Sequence, residues 1–189
     1  MATGLGSAAF DRGKGGLAFV LPNNVPLLIH WSFLIPAAIL SQPLWSRGAF
    51  IEALLFAIVL LVSIFLHEIG HMIAAHRRGV RSQAIVIHLL GGVVFLTVDG
   101  ERKFPAAQIA LAGPMVNVAL GAIFLAINAL APEPPSKVYF GHFVVLGGPP
   151  PPPGLAYLAG VLNLGLAAVN LVPAFDLDGG VIAREALAR

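Results

Sequence analysis

Long apolar stretches alternate with short polar or proline-rich ones along this chain. From Phe50 to about Ala75 nearly every residue is Leu, Ile, Val, Ala or Phe, and no proline interrupts the run. A helix needs ~20 such residues to cross the hydrocarbon core of a bilayer. Similar stretches run from about Pro105 to Ala131 and from about Leu155 to Pro173. A shorter one, about His30 to Trp45, carries Pro36 and Pro43. Pro114 sits inside the Pro105–Ala131 stretch and predicts a kink there. The pattern predicts an α-helical integral membrane protein with about four transmembrane helices. Between the second and third spans the character changes. Residues 84–98 are rich in β-branched side chains (Ile85, Val86, Ile87, Val93, Val94) and are split by Gly91-Gly92. That predicts a short membrane-associated strand–turn–strand element. Residues 17–29, broken by Pro22 and Pro26, suit a short strand or re-entrant piece. Residues 132–153 hold Pro132, Pro134, Pro135 and the run Pro149 to Pro153, and predict a loop with a stiff polyproline II spacer. Residues 177–189 read as the start of a further amphipathic or membrane helix. Residues 1–16, small, polar and glycine-rich, read as a disordered N-terminus, which leaves 17–189 as one unit.

Composition agrees with the pattern. The 189 residues are 58% hydrophobic and 11% charged, with a mean hydropathy of +0.88. A soluble domain is about 45–50% apolar and about 25% charged. The excess excludes a soluble globular protein, and the low charge excludes a disordered one. With no cysteine there are no disulfides, thiolate metal sites or cysteine nucleophiles. A net charge of +2 gives no footprint for nucleic acid. The basic residues do carry topology. With four spans, Arg12, Lys14, Arg77, Arg78, Arg81, Arg102, Lys103, Arg184 and Arg189 fall on one side, and only Arg47 and Lys137 on the other. Such a bias places both termini in the cytoplasm.

Ionisable residues inside spans are costly, and here three stand together, in His67-Glu68-Ile69-Gly70-His71. His67 and His71 are one helical turn apart on one face, so both rings can reach one zinc ion. Glu68 beside them can accept a proton from a water that the ion activates. This is the HExxH arrangement of zinc peptidases. With this chain's His and Glu content, chance supplies only ~0.005 such matches, which disfavours the alternative of a polar patch binding another helix. A catalytic zinc site needs a third protein ligand and one open position. The free carboxylates near a membrane boundary are Asp176 and Asp178, in Asn170-Leu-Val-Pro-Ala-Phe-Asp-Leu-Asp-Gly-Gly180. Spans two and four both run toward the cytoplasm, which brings that segment level with His67 and His71. Gly179 and Gly180 would let the backbone pass close to the metal.

These segments, with Leu111-Ala-Gly-Pro-Met-Val-Asn117, His30-Trp31-Ser32-Phe33 and Leu90-Gly91-Gly92-Val93, resemble the site-2 protease family of intramembrane zinc metalloproteases. The resemblance covers roughly residues 20–180. It is nearest to the subgroup whose longer members carry C-terminal CBS domains, which this chain does not include. The resemblance implies that 17–189 form an intramembrane metalloprotease catalytic core. It implies zinc as cofactor, held by His67, His71 and Asp178, with Glu68 as catalytic base. It implies that Asn117 and Asn170 lie near the active site, where they would bind substrate backbone. Gly91 and Gly92, in the strand element, are expected to bind substrate with them. The implied substrates are single-span membrane proteins, such as anti-sigma factors or signal-peptide remnants, in a prokaryotic plasma membrane. Two positions depart from the family pattern: Asp176 stands where proline is common, and Val181 where arginine usually follows the Gly-Gly pair. The competing reading is a non-proteolytic membrane zinc-binding protein or substrate-binding homologue.

Overall fold

A computed structural model describes residues 15–46, 48–97, 105–130, 137–140, 143–146, 154–174 and 177–188. Two strands, β1 (Gly16–Val20) and β2 (Pro26–His30), form a hairpin that leads through a 3-10 turn (Trp31–Phe33) into helix α1 (Leu34–Trp45). Helix α2 (Phe50–His76) is followed by β3 (Arg81–His88) and β4 (Gly91–Thr97), and then by helix α3 (Ala106–Leu130). Two short strands, β5 (Lys137–Phe140) and β6 (Phe143–Leu146), precede helices α4 (Leu155–Asn170) and α5 (Asp178–Leu187).

Helices α2 and α3, of 27 and 25 residues, are the two among the described residues that are long and apolar enough to cross a membrane. At 1.5 Å per residue they reach about 40 Å, more than a hydrocarbon core. Only a third of each apolar window is buried inside the protein, whereas the core helix of a soluble protein would be mostly covered. Phe50, Ile51, Leu54, Ile58 and Val62 of α2 and Met115, Ile123 and Ile127 of α3 face outward. Helices α1 and α4, of 12 and 16 residues, are shorter. The expected first span is therefore corrected at its start. His30 ends a strand and the helix begins at Leu34, because the backbone of residues 26–30 is taken up by sheet pairing.

The sheet is larger than the sequence implied. Its order is β1-β2-β3-β4. The outer pairs are antiparallel and β2–β3 is parallel, with Leu27 opposite Ile85 and Ile29 opposite Ile87. So residues 17–29 join the strand–turn–strand element rather than standing apart from it. Alternation puts Leu27, Ile85 and Ile87 on one face, and they pack with Phe33 and with Leu60 and Ile64 of α2. A tight turn makes this possible. Gly79, at φ +74°, takes the left-handed conformation that ends α2, and the Val80 N–H returns to the Ala75 carbonyl at 3.0 Å. The chain thus re-enters β3 directly beside the helix it has just left. Residues 132–153, expected to be a loop, contain the antiparallel pair β5–β6, formed by two short runs of β-branched and aromatic residues between the prolines. The run Pro149 to Pro153, and residues 1–14 of the expected disordered N-terminus, lie outside the described residues.

Helices α3 and α4 approach closely at two glycines. A Cβ at Gly160 would stand 2.7 Å from Leu125 and 3.3 Å from the Gly121 carbonyl. Five residues along α4, a Cβ at Gly165 would meet nothing within 4 Å. Gly160→Leu is expected to destabilise the protein by about 1–3 kcal/mol through overpacking, while Gly165→Leu should be neutral or stabilising. Thermal unfolding of the two variants in detergent measures the difference.

Candidate metal centre

Helix α2 presents His67, Glu68 and His71 at the point where it meets both β4 and α3. All three are buried, at 5%, 3% and 5% exposure. Helix α3 reaches them because Gly70 carries no side chain. A Cβ there would press on Val116 Cγ2 at 2.8 Å and the Ala112 carbonyl at 2.9 Å. On the other side, a Cβ at Gly92 would collide with the Glu68 carboxylate, so glycine lets β4 lie directly against it.

Two hydrogen bonds set the orientation of the rings. The Ala159 carbonyl can only accept, so Asn163 turns its Nδ2 toward it at 2.8 Å. Asn163 Oδ1 then accepts from Asn117 Nδ2 at 3.3 Å, and Asn117 Oδ1 is left facing His67 Nδ1 at 2.8 Å. His67 Nδ1 must therefore donate. His71 Nδ1 donates to the Ile109 carbonyl, also at 2.8 Å. In neutral imidazoles these bonds leave both Nε2 atoms as lone pairs. The two Nε2 atoms face each other at 3.0 Å. Asp178 completes the group, with Oδ2 at 3.1 Å from His67 Nε2 and Oδ1 at 3.3 Å from His71 Nε2. Three electron-pair donors thus crowd one point with no proton assigned between them. That fits a divalent cation. Donors ~2.0–2.1 Å from a tetrahedral zinc ion stand about 3.3 Å from one another. His67, Glu68 and His71 together also form a group close enough to hold an ion.

Asp178 is delivered by the first residue of α5, and its place depends on the glycines that follow. A Cβ at Gly179 would strike the carbonyls of Leu171 and Val172, and one at Gly180 the carbonyl of Ala174. The glycines thus let α5 pass close to the turn after α4. The result is a cavity of about 310 Å³ lined by His67, Glu68, His71, Gly92, Asn170 and Asp178, with Val181 and Ala106 at its wall.

The model of peptidase family M50 matches residues 55–145 of this chain. A zinc metalloprotease of Methanocaldococcus jannaschii is 31% identical over 166 residues, which cover 88% of this chain and 44% of that protein. The solved structure of the site-2 protease from the same organism superposes with a TM-score of 0.64 at 27% identity, covering 91% of this chain and 71% of that one. The chain belongs to the site-2 protease family, peptidase family M50. It spans less than half the length of the curated relatives it matches.

The family motifs meet in space. His67, Glu68, His71 and Asp178 share the cavity wall, and Gly92 and Asn170 lie beside them. Gly91 does not face the cavity; it makes the β3–β4 turn at φ +123°. Asn117 is fully buried with both amide atoms engaged, behind His67 rather than open to a substrate. Asp176 lies outside the described residues. Reading the sequence as a site-2 protease missed three contributors. Asn163 orients the amide that orients His67. The Ile109 carbonyl is invisible to any side-chain motif. Gly113 lies against both Nε2 atoms, where a Cβ would fill the space the ion needs. A signal for it did exist, since Ile109, Gly113 and Asn117 repeat every four residues on one face of α3.

Gly113→Ala is therefore expected to weaken divalent-ion binding by at least about tenfold, the lower end of what disturbing the groups that orient metal ligands costs, with helix content unchanged by circular dichroism. Competition against a chromophoric chelator measures it. Wild-type affinity in this variant would show that the ion does not sit between the two histidines.

Proposed function

We propose that this chain is an intramembrane zinc metalloprotease that hydrolyses peptide bonds within transmembrane segments of membrane proteins. The observation that carries this reading is the convergence of two imidazole lone pairs and a carboxylate beside the buried Glu68, in a cavity walled by a strand edge. His67, His71 and Asp178 would hold the ion, leaving a fourth position open. Zinc bound there supplies Lewis acidity toward a water and the scissile carbonyl.

The remaining chemistry belongs to the chain's own residues. Glu68 takes the proton of the attacking water and returns it to the leaving nitrogen. Asn117 is a positioning residue, fixing His67. A substrate helix must unwind before its carbonyls can be attacked, and β4 offers the unwound segment a place. Among the described strands β4 pairs with β3 on one side only, so its other edge can add a substrate strand. Gly92 keeps that edge within reach of Glu68, and the Asn170 amide lies where it can hydrogen-bond freed backbone groups. We read α1 and α4 as the first and fourth passes, with thinned bilayer around these shorter helices. Both termini then face the cytoplasm of a prokaryotic plasma membrane. The substrates are single-span membrane proteins, anti-sigma factors or signal-peptide remnants among them.

Zinc content and cleavage of a model transmembrane substrate, measured on the same preparations, test this. Glu68→Gln should retain zinc and lose cleavage; an active variant would sink the base assignment. Asp178→Ala should lower zinc content more than Asp176→Ala, and the reverse order would move the third ligand. Wild-type protein that holds zinc and cuts no transmembrane substrate would overturn the protease reading itself.

A further inference from the structure

The contacts that orient His67 and His71 both come from α3, but those that orient Asp178 are less obvious. Asp178 reaches the site from α5, a short helix tethered to α4 by a turn. Something must hold α5 against the rest of the site, or the carboxylate would swing with the helix. The structure supplies a tie at the other end of the same helix. Glu185 Oε2 accepts from the Ala107 N–H at 2.6 Å, in a part-buried contact. Ala107 is the second residue of α3, where backbone N–H groups have no partner within the helix. A carboxylate there gains both the hydrogen bond and the positive end of the helix dipole.

The spacing gives this cap its consequence. Asp178 and Glu185 are seven residues apart, two turns of helix, and so lie on one face of α5. That face makes a contact at each end. At its start Asp178 joins the imidazoles that Asn117 and Ile109 of α3 hold in place. At its end Glu185 caps the first turn of α3. Val181, between them, lines the cavity together with Ala106 of α3. We infer that Glu185 is a positioning residue: by capping α3 it locks α5 in the one orientation that holds Asp178 against His67 and His71. The inference rests on the proposed metal centre and adds to it the part of the chain that sets its third ligand. All three donors are then referenced to a single helix.

The test measures zinc affinity of the full chain in detergent, by chelator competition, in six proteins: wild type, Glu185→Ala and Glu185→Gln, each with Asp178 intact or as Asp178→Ala. With Asp178 present, Glu185→Ala is expected to weaken zinc binding about 10–100-fold, as loss of an outer-shell partner does. Glu185→Gln keeps an acceptor for the Ala107 N–H and should recover most of that loss. With Asp178 already removed, neither Glu185 substitution should change the remaining affinity by more than about twofold, since pairs that act through one another are not additive. Wild-type affinity in Glu185→Ala would overturn the inference. So would an equal loss in both backgrounds, which would mark Glu185 as a general support of the fold. Failure of the wild type to bind zinc at all would instead refute the metal centre on which the inference rests.

Discussion

The structure turns on an electrostatic constraint: three electron-pair donors must be held facing one another inside a low-dielectric core. Left to themselves, two neutral imidazoles and a carboxylate would rotate apart or trap a proton. Here each ring is fixed by a bond on its far side, and the acceptors are ones that cannot reverse. The Ile109 carbonyl has no proton to give. The Asn117 amide has its direction set by Asn163, whose own direction is set by the Ala159 carbonyl. A backbone oxygen on α4 therefore decides which nitrogen of a histidine on α2 carries its proton. Any looser arrangement would let the donors relax, and the cation site would be lost with them.

This constraint explains why α3 is built as it is. One face of it carries Ile109, Gly113, Asn117 and Gly121, all buried. Each answers a different demand along the same line. Ile109 offers a carbonyl to His71, Gly113 clears room for the donors, Asn117 holds His67, and Gly121 lets α4 approach so that Asn163 can reach Asn117. Pro114 sits beside Gly113 and removes the backbone N–H that would otherwise bond Ala110, a residue on the cavity wall. The residues of α3 that face outward are ordinary apolar ones. The helix thus carries site geometry on one face and solubility in lipid on the other.

Much of this was legible in the sequence, for reasons that differ by element. The limits of α2 and α3 follow from long, mainly apolar runs, because a helix in hydrocarbon must satisfy its own backbone. The HEIGH spacing is local, so one turn of helix suffices to bring His67 and His71 together. The Leu-Asp-Gly-Gly segment was visible as the nearest carboxylate source, but not the reason for its glycines, which depends on a turn at 171–174. The sheet was half legible. The pairing of β3 with β4 is a hairpin and shows as β-branched runs around Gly91-Gly92. The pairing of β2 with β3 joins residues more than fifty positions apart, with no turn signal to reveal it. The Asn117–Asn163 relay is hidden for the same reason. Each asparagine alone looks like a helix contact, and only their juxtaposition makes them a device for fixing a tautomer.

Depth in the membrane is the remaining constraint, and it pulls two ways. Glu68 lies eight residues before the end of α2, which places it about 12 Å along the axis from that end at 1.5 Å per residue. In the proposed reading a deeper site would meet more of a substrate's transmembrane segment but would starve of water. A shallower one would be wet but would meet only residues already outside the bilayer. The residues around the cavity bear on both demands. Asp178 and Asn170 come from the end of α4 and the start of α5, and Arg77 and Arg78 lie just beyond the end of α2. In the proposed reading water would approach along this charged end without breaching the apolar faces of α2 and α3. In the same reading the sheet would sit on that boundary, so a segment added to the outer edge of β4 would leave the lipid as it reached Glu68. Unwinding, hydration and proton transfer would then share one place, because β4 is also a wall of the cavity.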